Sequence, residues 1–176
     1  NRNTQTYEMD IQVPFNATLQ ILVENMGRIN YGDEIVNNTK GIISPVVINE
    51  QEIMGNWEMY KLPMSEMPNL AKMKSVKNGS TQAKRLTGCP VLYEGTFNLD
   101  TTGDTFVDMG NWGKGIVFVN GHNLGRYWQV GPQQTLYLPG VWLKKGENKI
   151  VIFEQLNDAP QTEIKTVKVP VLTDLR

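Results

Sequence analysis

Two short stretches of this 176-residue chain hold the side chains best suited to chemistry. The first is Gly27-Arg28-Ile29-Asn30-Tyr31-Gly32, with a cation, an amide and a phenol between two glycines. A tyrosine ring stacks on the C–H face of a sugar while its hydroxyl bonds a polar group. The second runs from Trp112 through Asn120, His122, Asn123, Arg126 and Tyr127 to Trp128. Aromatic faces beside Arg and Asn donors are the mix with which β-sandwiches hold a pyranose. Each stretch also has a purely structural reading. Arg28 and Tyr31 would brace a loop or bridge two domains. Arg126 would satisfy carbonyls at a strand end, Trp128 would be core, and His122 a turn residue.

Other chemistries find little here. His122 is the single histidine and Cys89 the single cysteine. The two are far apart and cannot make a zinc site by themselves, and one cysteine allows no intrachain disulfide. Asp100, Asp104 and Asp108 recur at a spacing of four, unlike the alternate-residue spacing of a calcium loop. They read first as turn formers, because Asp bonds its own backbone. No metal and no cofactor are expected. The formal charge of −1 offers no basic stripe for nucleic acid. No apolar run reaches membrane-spanning length. Asn16, Asn37 and Asn78 head Asn-x-Ser/Thr sequons, which matter where the source glycosylates. The chain opens on Asn1 and reads as an excised piece of something longer.

Short strands must position these residues. Tyr7–Val13 alternates apolar and polar, and Leu19–Val23 is a continuous apolar run expected to be buried on both faces. Gly41–Asn49 reads as an edge strand interrupted by Pro45, and Trp57–Leu62 as a further strand. Residues 63–90 change character. Lysines and Arg85 among Ser, Asn and Gly make a long surface connection, with one helical turn expected near Leu70–Met73. Strands then return at Val91–Leu99, Thr105–Asp108, Ile116–Val119, Thr135–Leu138, Lys149–Glu154 and Glu163–Val169. Asn120-Gly121 between them is a strong hairpin signal, since a type I′ turn needs positive φ at both central residues. The pattern predicts an all-β chain built as an antiparallel β-sandwich or jelly roll. Residues 1–62 form a partial sandwich, 63–90 a linker, and 91–176 a jelly-roll domain, either free-standing or packed with 1–62 as one unit.

LQILVENMGRINYG at residues 19–32, KGI at 40–42 and WEMYKLP at 57–63 resemble one block of the family-35 glycoside hydrolases, the β-galactosidases. YEGTFNL, DTFVDMGNWGKGIVFVNGHNLGRYW, GPQQTLYLP and GENKIVIFE resemble the C-terminal jelly roll of the same family. The resemblance implies a galactose-binding-like fold and a parent enzyme whose catalytic (β/α)₈ barrel precedes this region. It implies a periplasmic, secreted or lysosomal setting.

Retaining glycoside hydrolysis needs two carboxylates flanking the scissile bond. In the family these are glutamates on barrel strands, one of them in a Glu-Asn-Glu-Tyr-Gly type motif. The nearest string here, Ile48-Asn49-Glu50-Gln51-Glu52, lacks the flanking Glu and Tyr, and no barrel pattern is present. The chain alone is therefore expected to be non-catalytic, as the accessory β region of a retaining β-galactosidase. The loop with Arg28, Asn30 and Tyr31 would border the barrel's active site. The alternatives are an independent galactoside-binding module acting through the Trp112–Trp128 cluster, and a structural or oligomerisation domain. A homodimer of the exposed fragment is a further expectation.

Overall fold

The computed structural model describes residues 10, 12, 16–24, 30–69, 90–156, 161 and 163–174. The chain divides into two compact units, Asn1–Met59 and Tyr60–Arg176. Among the described residues the regular structure is antiparallel strand with two 3₁₀ turns, so the expected all-β class is what folds.

In the first unit the only described ladder joins β1 (Val47–Ile48) to β2 (Gln51–Glu52). Asn49 and Glu50 make its two-residue turn with φ of 48° and 65°. Both are left-handed, as a type I′ hairpin requires. Glu50, the one residue resembling a catalytic string, thus tops an exposed turn. A 3₁₀ turn at Asp33–Ile35 follows Gly32, whose φ of 96° suits glycine. Three expected strands differ here. Leu19–Val23 is not a ladder strand and is exposed; only Val47–Ile48 survives of Gly41–Asn49; Trp57–Leu62 is irregular. An apolar run becomes a ladder strand only when a neighbouring strand takes its N–H and C=O groups in register, and among the described residues these runs enter no such ladder. The strand expected at Tyr7–Val13 and the helical turn at Leu70–Met73 lie outside the described residues, apart from Asp10 and Gln12.

The second unit is a two-sheet sandwich. One sheet has four strands in the order β3 (Val91–Leu99), β8 (Gly146–Glu154), β5 (Lys114–Val119), β6 (His122–Trp128). The other has the order β7 (Thr135–Leu138), β4 (Thr105–Asp108), β9 (Lys165–Val167). β6 is the strand that sequence periodicity did not reveal, because its residues look like a polar and aromatic cluster. Asn120 and Gly121 join β5 to β6 with φ of 50° and 89°, the expected type I′ turn. A bulge between Val117 and Phe118 in the β5–β6 register leaves Leu124 as the extra residue, packed against the core, beside Gly125, the partner of Val117.

The core lies between the sheets. Val117 and Val119 of β5 and Ile150 and Ile152 of β8 meet Val107 of β4 and Leu136 of β7. Burying each such side chain is worth about 1.5–3 kcal/mol. Phe118 and its register partner Val151 alternate to the opposite face of the four-stranded sheet and are also fully buried. That is why Ile116–Val119 is a continuous apolar run: this strand is covered on both sides. Asn123 shares the Phe118 face by register, and its Nδ2 donates to the Met64 carbonyl at 2.6 Å. Part of the expected linker is thereby tied down onto the sandwich as a strap.

Candidate functional site

The first candidate loop presents its phenol outward. Tyr31 is 90% exposed and Asn30 is exposed beside it. Arg28 lies outside the described residues.

The second cluster is taken apart by strand alternation. Tyr127 points inward and is buried, and its hydroxyl donates to Glu154 Oε2 at 3.0 Å. Trp112 is 4% exposed in the same core and meets the Tyr93 ring edge-on at 5.2 Å. Arg126 and Trp128 alternate to the outer face of the sheet, where the Arg126 guanidinium and the Lys114 ammonium lie 5.8 and 5.1 Å from the Trp128 ring. His122 sits at the sheet end, exposed, stacked on Trp142 with centroids 4.7 Å apart and planes 10° from parallel.

The asparagines are occupied by structure. Asn120 Nδ2 donates to Trp142 O and to Asn148 Oδ1, both at 2.8 Å, and its Oδ1 accepts from Lys149 N. Asn123 Oδ1 accepts from Gly125 N while its amide holds Met64. The seven residues therefore do not converge on one ligand. Trp112 and Tyr127 are inside, Arg126 and Trp128 are outside, and Asn120, His122 and Asn123 shape a hairpin and its flank.

Glu154 is the functional-looking residue that motif reading missed. Its carboxylate is 1% exposed and accepts four hydrogen bonds. They come from Gly113 N, Lys114 N and Leu156 N at 2.9, 3.0 and 2.8 Å, and from the Tyr127 hydroxyl. A buried carboxylate must be satisfied in this way, and here every donor is structural. Burial first, then the neighbouring Glu154 charge, hold the Tyr127 phenol well above its ordinary value of 10.0. The signal was present in sequence: Glu154 has the parity of Ile150 and Ile152 along β8.

The three aspartates behave as turn formers where their bonds are seen. Asp104 accepts from Gly140 N and from the Tyr137 hydroxyl, each at 2.8 Å, and those two bonds hold its pKa below 3.8. Asp108 Oδ1 accepts from Gly110 N at 2.9 Å. Among the described residues no three His, Cys, Asp or Glu gather as metal ligands. No helix of the described residues is long and apolar enough to cross a membrane.

Comparisons with known proteins bear on what this scaffold belongs to. Residues 1–63 match the family described as "Beta-galactosidase, first all-beta domain", and residues 90–148 match "Beta-galactosidase, galactose-binding domain". The chain is 38% identical over 170 residues to Beta-galactosidase 1 of Dictyostelium discoideum, covering 94% of this chain and 24% of that protein. It is 40% identical over 149 residues to Beta-galactosidase-1-like protein 2 of Homo sapiens, covering 82% of this chain and 22% of that one. A Beta-galactosidase of Xanthomonas manihotis is 38% identical over 138 residues, covering 78% of this chain and 21% of that protein. The chain thus spans about a quarter of the length of these relatives or somewhat less. What it matches are two non-catalytic β domains, and through them the chain belongs to the β-galactosidase family.

Proposed function

We propose that this chain is the accessory β region of a β-galactosidase, a buttress for a catalytic (β/α)₈ barrel that cleaves terminal β-galactosides. The observation behind this reading is the surface of the first unit. Ile43 is 77% and Met59 92% exposed, and the Leu19–Val23 run is open along its length. An apolar surface of this kind on a β unit marks contact with another protein surface. Tyr31, next to Gly32 and 90% exposed, is suited to border the barrel's substrate cleft together with Asn30 and, by its place in the same Gly27–Gly32 sequence, Arg28. The setting of such an enzyme would be periplasmic, secreted or lysosomal. The same apolar surface would drive two isolated copies of the chain together.

A galactoside-binding module acting through the Trp112–Trp128 cluster is the weaker reading, because those side chains point to three different places. A purely structural domain is separated by kinetics on the full-length enzyme. Tyr31→Phe is expected to change KM or leaving-group preference while the melting temperature stays put. A variant with unaltered kinetics, or with lost stability alone, would remove Tyr31 from the substrate rim.

A further inference from the structure

We propose that Asn120 is a latent deamidation site, kept shut by the hydrogen bonds of its own side chain and converted to aspartate or isoaspartate whenever this end of the β5–β6 hairpin opens. The sequence creates the liability. Asn120 is followed by Gly121, which brings no side chain to shield its backbone nitrogen. In the reaction the Gly121 nitrogen gives its proton to hydroxide and attacks Cγ of Asn120, and the side-chain nitrogen leaves as ammonia. Water then opens the five-membered imide at either of its carbonyls. The net change is one water taken up and one ammonia released, with no oxidant or cofactor. The site needs no barrel and no ligand, so it stands apart from the buttress reading.

The fold opposes the first step. Attack requires the Asn120 amide to swing back onto its own chain and leave its partners. Its Nδ2 donates to Trp142 O and to Asn148 Oδ1, both at 2.8 Å, and its Oδ1 accepts from Lys149 N at 2.9 Å. The backbone is held beside them, with Asn120 N donating to Lys149 O at 2.9 Å. At a net factor of about five for each side-chain bond, the three together suppress the reactive orientation about a hundred-fold.

The product cannot remake this latch. An aspartate at position 120 would keep Lys149 N as a donor but turn its second oxygen toward Trp142 O and Asn148 Oδ1, two acceptors. Asn148 cannot turn to meet it. It is fully buried, its Nδ2 donates to Lys144 O at 2.7 Å and to Gly146 O at 3.0 Å, and its Oδ1 accepts from Lys144 N at 2.9 Å. Flipping the Asn148 amide would break all three bonds. A carboxylate facing acceptors in a partly buried place is costly. Isoaspartate is worse, because it inserts an extra carbon into the backbone of a two-residue turn. Conversion therefore frees the hairpin from the 3₁₀ turn Gly140–Trp142 and from the first half of β8, and refolding does not reverse it.

The test follows deamidation by peptide mass mapping of the 176-residue chain at mildly alkaline pH, once folded and once in concentrated urea. Asn78-Gly79, the other Asn-Gly pair, lies outside the described residues and is the chemical reference in urea, where the two pairs should convert alike. Asn120 is expected to convert about a hundred-fold or more slowly in the folded chain than in urea. Asn120→Asp should lower the melting temperature by about 5 °C or more. Asn148→Ala, which removes one partner of the amide, should speed conversion in the folded chain about five-fold or more. The urea comparison needs no variant and decides the matter if Asn148→Ala does not fold. Equal rates folded and unfolded, an Asn120→Asp chain as stable as wild type, or an unchanged rate in folded Asn148→Ala would overturn the assignment.

Discussion

Glu154 shows how much one side chain can organise. Its four donors come from the loop before β5, from β5 itself, from β6 and from the residue two past its own position. Glu154→Gln replaces an acceptor with a donor that faces N–H groups, and is expected to cost about 2–4 kcal/mol in chemical denaturation. Tyr127→Phe removes one donor of four and should cost about 1–3 kcal/mol. The phenol also sets a pH dependence. Its pKa in the fold lies above the unfolded value of 10.0, so its contribution is complete below pH 10 and is lost as pH rises beyond it. Wild-type stability should fall more steeply than that of Tyr127→Phe above pH 10, by about 1.4 kcal/mol per pH unit. Equal slopes would show that the ring is not held neutral. At the surface, Asp104 should titrate below 3.8 by NMR, and Tyr137→Phe should move it up.

Close backbone approach governs the elements. Gly115 lies where β5 meets β8, and a Cβ there would run into the Phe153 carbonyl and crowd the Tyr127 hydroxyl. Gly95, also in the four-stranded sheet, would place its Cβ in ordinary contact, 3.7 Å from Ile150. Gly115→Ala is therefore expected to cost about 3 kcal/mol or more and Gly95→Ala less than about 1 kcal/mol, read from thermal melts. The strap is a second device of this scale. Asn123 Nδ2 holds the Met64 carbonyl, and Met64 itself has a left-handed φ of 52°. Asn123→Ala should raise hydrogen exchange across residues 60–68 while β5 and β8 remain protected. Unchanged exchange would mean that packing alone holds the strap.

For the whole molecule, the exposed apolar residues of the first unit predict self-association of the isolated chain. Light scattering should show mass rising with concentration, and a monomer at every concentration would count against the buttress reading. How legible this was from sequence varied with the unit. In the second unit, turn chemistry marked the strands well: Asn120-Gly121 and the apolar runs on either side of it lie where alternation and composition put them. β6 escaped because its core-side residues are only Leu124, Gly125 and Tyr127, interrupted by a bulge. In the first unit, Leu19–Val23 and Trp57–Leu62 have strand composition but no ladder. Strand propensity records a wish for neighbours and cannot supply them.

The order of side chains along the chain was enough to determine an antiparallel β protein, its main hairpin, and its kinship with β-galactosidases through GRINYG and NLGRYW. These are local patterns: a period of two, a left-handed turn pair, a run of residue types. Only the tertiary structure decided that Trp112 and Tyr127 are core, that Arg126 and Trp128 face outward, and that the Asn120 amide is latched to Trp142 and Asn148. Those outcomes depend on which face of a strand meets the opposite sheet, and on which distant segment lies beside it. Neither is written in any short window of sequence.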